Sequence, residues 1–167
     1  KGGHSRGLIR KRPFRAPHYS ISAASLLGGG SDSIVPGEIS LAHNGILFID
    51  EFCEAPKRLI EMLRGPLEDG KVTVSRLRCK VEFPSDFMLV AATNPCPCGY
   101  YGIGDKCTCT PSMRMSYLAK LSGPTMDRID LQIVTRPIDP SKMSCRKTGE
   151  TTESIASRVN KARKIQR

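Results

Sequence analysis

The sequence predicts an α/β fold with a largely parallel sheet, because short apolar strands alternate with helical stretches along the chain. Two runs carry that prediction. Gly45-Ile46-Leu47-Phe48-Ile49-Asp50 and Phe87-Met88-Leu89-Val90-Ala91-Ala92-Thr93-Asn94 are continuous apolar segments ending on polar groups, as strands buried on both faces do. A third strand is expected at Leu131-Gln132-Ile133-Val134-Thr135, stopped by Pro137.

The connecting segments follow in order. Gly28-Gly29-Gly30-Ser31 reads as a loop. Pro56 to Leu67 reads as a helix, with Leu59, Ile60, Leu63 and Leu67 at helical spacing behind a proline suited to a first turn. Lys71-Val72-Thr73-Val74 and Lys80-Val81-Glu82-Phe83 flank Ser75 to Cys79, a hairpin with Arg76, Arg78 and Lys80 near an exposed tip. Ser112 to Leu121 and Thr151 to Ile165 are expected helices, and Asp139 to Gly149 a loop or linker.

Composition sets the limits. The chain has 167 residues, 39% of them hydrophobic, enough for one globular domain with a core. It begins at Lys1 and ends within a helical stretch, Ser154 to Arg167, which suggests a piece of a longer protein. Its apolar runs fall well short of the roughly 20 residues of a membrane-spanning helix, so no membrane partner is expected. Ala16 to Ser25, after the basic start Lys1 to Arg15, is too polar for a secretory signal. Seven unevenly spaced cysteines suggest reduced thiols or metal ligands rather than a disulfide framework, and hence a cytoplasmic setting. The net charge of +10 is concentrated in the flanks: residues 1–31 carry six Lys or Arg and no acid, and residues 141–167 carry eight against two acids. Such flanks suit contact with nucleic-acid backbone, and equally a solvated surface or contacts to other parts of the protein.

The segment with most chemical content is Ile46 to Glu51, a strand that delivers two adjacent acids at its carboxyl end, where open α/β sheets bind ligands. In a nucleotide hydrolase Asp50 would serve a magnesium ion, a hard cation that prefers oxygen donors, and Glu51 would deprotonate the attacking water. The alternative is a strand ending in two solvated carboxylates. Asn94, at the polar end of the next strand, would stand beside Asp50 if the two strands are neighbours, and its amide could hold the water or the terminal phosphate. Alone, an Asn before Pro95 is also a common turn residue.

Cys96-Pro97-Cys98-Gly99 and Cys107-Thr108-Cys109 form a separate constellation. Two close thiol pairs can converge on one tetrahedral site, and a reduced compartment favours zinc there. Free or partly buried thiols are the alternative. His4, His18 and His43 lack ligand spacing, Cys53, Cys79 and Cys145 read as small hydrophobes or surface thiols, and Met113 and Met115 as core filling.

Taken together, Arg12-Pro13-Phe14-Arg15-Ala16-Pro17-His18, Pro36 to Gly45, the Asp50-Glu51 strand, Ala91 to Pro95, and Leu121-Ser122-Gly123-Pro124 to Leu131 resemble the magnesium-chelatase-like AAA+ ATPases, and within them the bacterial competence-associated group. The resemblance runs in order over residues 8–167. It implies a partial AAA+ P-loop-type three-layer core at 1–140, a linker at 141–150 and the start of a helical lid at 151–167. It implies Walker B acids at Asp50 and Glu51, a first sensor at Asn94 and, at Arg128, an arginine finger reaching the ATP of a neighbouring subunit; an intrachain pair with Asp127 or Asp130 is the other reading of Arg128. It also implies that the 72–83 hairpin points into a ring pore and that residues near Gly28 to Pro36 form an insertion within a helix. The parent protein is then an ATP- and magnesium-dependent homo-oligomeric ring, hexameric in this reading, that remodels DNA. A motor for metal insertion into a porphyrin and a non-enzymatic zinc-stabilised nucleic-acid-binding module are the alternatives. The chain contains no Gly-x-x-x-x-Gly-Lys-Ser/Thr loop, which the family carries before the segment matching Arg12, and the lid's second-sensor arginine would lie beyond Arg167. By itself the chain is therefore expected to bind ATP poorly and to be inactive; a calorimetric titration should give no tight magnesium-dependent binding.

Overall fold

A computed structural model describes residues 11–30, 33–76, 79–121, 123–135 and 149–166, in two compact units, Lys1–Gln132 and Ile133–Arg167. The described part of the first unit opens with a strand that the sequence did not announce, β1 (Phe14–Arg15). The short helix α1 (Ala23–Leu27) follows, capped by Ser22, whose hydroxyl accepts from the Ser25 amide. Where a glycine loop is expected, Gly28–Gly29 forms a short strand, β2, that pairs antiparallel with β3 (Val35–Pro36). Helix α2 (Glu38–Leu41) then leads to β4 (Ile46–Ile49).

Strand β4 is the centre of a three-stranded sheet in the order β1-β4-β7, where β7 is Met88–Ala91. Both pairings are parallel, with Ile46 opposite Met88 and Ile49 opposite Ala91. The parallel neighbour expected of the two apolar runs is therefore present. Burial on both faces is not: Leu47 and Ile49 are fully buried, whereas Phe14, Met88 and Val90, on the opposite face, are exposed. The core cluster lies against the Leu47 and Ile49 face, and an apolar run records hydrophobicity without saying which face is covered.

Parallel strands need a crossover, and here it contains α3 (Lys57–Met62), α4 (Arg64–Asp69) and the hairpin β5 (Lys71–Arg76) with β6 (Cys79–Pro84). The single helix expected over 56–67 is two helices meeting at Leu63. Pro66 has no N–H to give to the carbonyl of Met62, so the hydrogen-bond ladder is interrupted there. Gly70, in the left-handed region at φ 64°, closes α4 by donating to the Pro66 carbonyl. Leu59, Ile60 and Leu63 are buried as their spacing predicted, and they join Leu26, Ile39, Phe52, Val72 and Val74 in one core.

Helix α5 (Pro111–Leu118) and the short α6 (Gly123–Met126) complete the described part of the first unit. Residues 131–135, expected as a third strand, pair with no described strand, and Leu131, Ile133 and Val134 are exposed. A β-prone run becomes a strand only with a ladder partner, and none of the described strands offers one. The second unit is represented by α7 (Thr152–Gln166), where Thr151 accepts from the Ser154 amide and Glu150 pairs with Arg158. The expected linker at 141–150 falls mostly outside the described residues. No described helix is long and apolar enough to cross a membrane.

One close approach fixes β1 on β4. A Cβ on Gly45 would lie 2.0 Å from the Pro13 carbonyl oxygen, the same oxygen that accepts from the Ile46 amide at 2.9 Å. Gly45→Ala should lower the unfolding midpoint, with a cost of about 1–3 kcal/mol, whereas Gly65→Ala, where a Cβ meets nothing within 4 Å, should not; thermal unfolding of the two variants compares them.

Candidate functional site

The carboxyl ends of β4 and β7 bring the expected acids and amide to the same edge of the sheet. Ile49 is buried, and the next two residues, Asp50 and Glu51, are exposed. Glu51 adopts the left-handed region (φ 50°, ψ 42°), and its amide donates to Asp50 Oδ1 at 2.8 Å. A non-glycine residue in that region is held at a cost of about 1–3 kcal/mol by its surroundings. Those surroundings are visible: Phe52 and Cys53 turn back into the core, the Phe52 amide donates to the Ala92 carbonyl at 2.8 Å, and the Ala92 amide donates to the Ile49 carbonyl at 3.0 Å. Pairing thus continues past both strands, and the two acids emerge at the level of Ala92. The Cys53 amide donates to Thr93 Oγ1 at 3.3 Å, and Asn94 follows, exposed.

Helix α5 supports this edge from beside it. Its Lys120 extension donates from Nζ to the Cys53 carbonyl at 2.7 Å and lies 5.6 Å from the ring centre of buried Tyr117. Burial pushes the Tyr117 phenol up to about 12 and raises the Cys53 thiol as well. Thr110 caps the helix by accepting from the Met113 amide, and Arg114 donates to the Cys109 carbonyl at 2.7 Å while stacking 4.3 Å over the Tyr101 ring. Arg128, the expected finger, is ion-paired with Glu68 of α4 and donates to the Pro124 carbonyl at 2.6 Å. Its partner is thus neither Asp127 nor Asp130 but a residue sixty positions earlier that nothing in the local sequence marks.

Between β7 and α5, the loop carrying the four cysteines gathers their sulfurs within 4.8 Å of one another. Cys96 and Cys98 are 3.4 Å apart, Cys98 and Cys107 3.7 Å, and Cys96 and Cys107 3.9 Å. Cys96 and Cys109 are buried. A disulfide needs sulfurs about 2.05 Å apart, whereas four thiolates about 2.3 Å from one zinc ion stand about 3.8 Å from each other. The backbone amides of Tyr100 and Thr108 donate toward Cys98, and with the neighbouring thiols they bring its thiol down to about 6. Cys109, although the Cys98 amide pulls the other way, is pushed up to about 11 by burial and by the sulfurs of Cys98 and Cys96. The cluster can hold a metal ion: the donor set is soft and tetrahedral in spacing, and backbone dipoles already face it.

Of the basic hairpin residues, Lys80 is exposed beside the tip and pairs with Ser75; the side chain of Arg76 and the whole of Arg78 lie outside the described residues. Cys145 and His4 lie outside them too. His43 serves the fold, accepting from the Asp86 amide at 3.1 Å. Sequence reading gave no role to Thr93, Gly99, Tyr117 or Lys120: Thr93 and Gly99 stand within quoted motifs only as neighbours of Asn94 and Cys98, and Tyr117 and Lys120 lie near the end of an expected helix.

A parallel α/β sheet with two acids at the tip of its central strand defines part of a P-loop-type core, and the comparisons agree. The family described as magnesium chelatase, subunit ChlI, matches residues 1–143, and the chain belongs to that family, an AAA+-type group. It is 45% identical over 159 residues to YifB of Escherichia coli (strain K12) and 46% identical over 159 residues to competence protein ComM of Haemophilus influenzae, in each case over 94% of this chain and 31% of the relative. Magnesium-chelatase subunit ChlI of Cyanidium caldarium is 32% identical over 76 residues, 46% of this chain and 22% of that protein. The resemblance to the competence-associated group is thereby supported, and the chain spans about a third of the length of YifB and ComM.

The left-handed turn at Glu51 is testable by stability alone. Glu51→Val should unfold about 1 kcal/mol more readily than Glu51→Gly, because a β-branched side chain resists that conformation and glycine does not. Equal thermal midpoints for the two variants would show that the turn is not held as described.

Proposed function

We propose that the protein containing this chain is an ATP-hydrolysing AAA+ ring motor that acts on DNA in the cytoplasm. The observation that carries the reading is the meeting of Asp50, Glu51 and Asn94 at the carboxyl edge of two adjacent parallel strands. Carboxylate oxygens exposed at a strand tip are the donors that suit magnesium, and Asp50 is the residue that would hold it. Magnesium, when bound, offsets the negative charge of the phosphates. Glu51 accepts the proton of the attacking water, and Asn94 orients that water or the terminal phosphate through its amide. Arg128 supplies positive charge to a nucleotide on a neighbouring subunit, which makes hydrolysis depend on assembly into a homo-oligomeric, hexameric ring. In this chain it is paired with Glu68, a pair that would open for Arg128 to reach a neighbour.

DNA is supported by the basic hairpin residues Arg76, Arg78 and Lys80, by the charge of the flanks, and by a close relative named for competence. The four cysteines, Cys96, Cys98, Cys107 and Cys109, are proposed to hold a structural zinc ion, the metal that a tetrahedral thiolate set in a reducing compartment selects.

The test uses the full-length protein. Wild type should hydrolyse ATP with magnesium and be stimulated by single-stranded or branched DNA. Glu51→Gln should lower kcat by about 10²- to 10⁴-fold while ATP still binds, and Lys80→Glu should weaken DNA binding most at low salt. Hydrolysis indifferent to DNA but stimulated by a porphyrin and its metal would point to the chelatase branch. DNA affinity with no hydrolysis would favour a binding module and overturn the motor.

A further inference from the structure

The cysteine loop touches the candidate site at both of its ends. At its start, the Gly99 amide donates to the Cys96 carbonyl at 3.0 Å, closing the turn that presents Cys96 and Cys98. Gly99 sits in the left-handed region at φ 78°, and the space where a Cβ would stand is 3.8 Å from Asn94 Cγ and 3.9 Å from Asn94 Oδ1. The Asn94 side chain therefore lies beside the same turn that supplies two of the sulfurs. At its end, the Cys109 carbonyl holds Arg114 and the Thr110 hydroxyl starts α5. That helix leads to Lys120, whose ammonium grips the Cys53 carbonyl two residues after Glu51. Residues 95–110 contain only one three-residue turn of helix, Gly104–Lys106, and a loop of that length with so little structure of its own needs fastening.

We propose that the thiolate centre is a positioning clamp: one ion closed on Cys96, Cys98, Cys107 and Cys109 sets the Asn94 amide on one side and, through α5, the turn behind Glu51 on the other. The cysteines are thus positioning residues for hydrolysis, acting through Gly99 and Lys120 and touching no substrate. The clamp rests on the zinc and motor readings above. It adds that metal occupancy controls the catalytic step and not the affinity for nucleotide, because the clustered sulfurs bond one another and not Asp50 or Glu51.

The full-length protein would be assayed for zinc by plasma mass spectrometry, for thiolate coordination by the visible bands of a cobalt(II)-substituted sample, and for local order by hydrogen–deuterium exchange. One zinc per chain is expected. Cys98→Ser should lose it, with faster exchange at residues 92–99 and 52–55 and unchanged exchange in the 71–84 hairpin. Its kcat should fall by up to about 10²-fold with KM for ATP unchanged, at least as far as for Asn94→Ala, and the double variant should be no worse than Cys98→Ser alone. If Cys98→Ser does not fold, zinc withdrawn from wild type by a chelator and restored with Zn²⁺ must reproduce the same loss and recovery. Gly99→Ala, which keeps all four ligands, should retain zinc yet lower kcat. Protein purified without zinc under reducing conditions, and unable to take up cobalt, would overturn the clamp along with the zinc site. Zinc that is bound but whose loss leaves exchange at 92–95 unaltered would overturn the clamp alone. A protein that hydrolyses no ATP would sink the motor reading, and the exchange comparison would still decide whether the clamp exists.

Discussion

The parallel pairing of β4 with β7 is the constraint on which the rest of this structure depends. Its register, from Ile46 opposite Met88 to Ile49 opposite Ala91, places the last residues of both strands at one edge. The bonds between Phe52 and Ala92 and between Ala92 and Ile49 carry the pairing a step further, so the chain leaves the sheet only where polar groups begin. A slip of one residue would turn Leu47 and Ile49 out of the core, since side chains alternate between faces. The core therefore fixes the register, and the register fixes where Asp50, Glu51 and Asn94 stand.

Two devices translate that edge into a defined arrangement. Phe52 and Cys53 are buried immediately after the acids, which forces Glu51 into a left-handed turn that its own amide helps to hold by bonding Asp50. On the neighbouring strand Thr93 accepts from the Cys53 amide, tying the turn to the residue before Asn94. Asp50 follows buried Ile49 and Glu51 precedes buried Phe52, so the order of the two acids comes from packing on either side of them.

Much of this was legible from residue order. The two apolar runs became neighbouring parallel strands, the Leu59, Ile60 and Leu63 spacing marked a buried helical face, and the 71–84 segment formed the expected hairpin. What failed did so for identifiable reasons. Strand β1 is only two residues long and is recruited by its pairing with β4, a tertiary effect that a local pattern does not contain. Residues 131–135 carried the pattern without a partner. In the candidate site, the acids, the asparagine and the cysteines were visible because their residue types are chemically distinctive. Lys120, Gly99 and Glu68 were not, because their significance arises from contacts between positions 67 and 60 residues apart, or from a backbone angle.

The sheet face that the described residues leave uncovered bears on how the chain behaves in solution. Phe14 and Phe48 stack there with ring centres 6.3 Å apart, next to exposed Met88 and Val90, and among the described strands β1 and β7 are the edges of the sheet. Such a surface is adhesive, and open edges extend it. The opposing influence is the charge of +10, which keeps copies apart only over the screening distance, about 10 Å at 0.1 M salt and shorter above it. Colloidal stability of this chain is consequently a contest between an apolar patch and an electrostatic repulsion that added salt weakens.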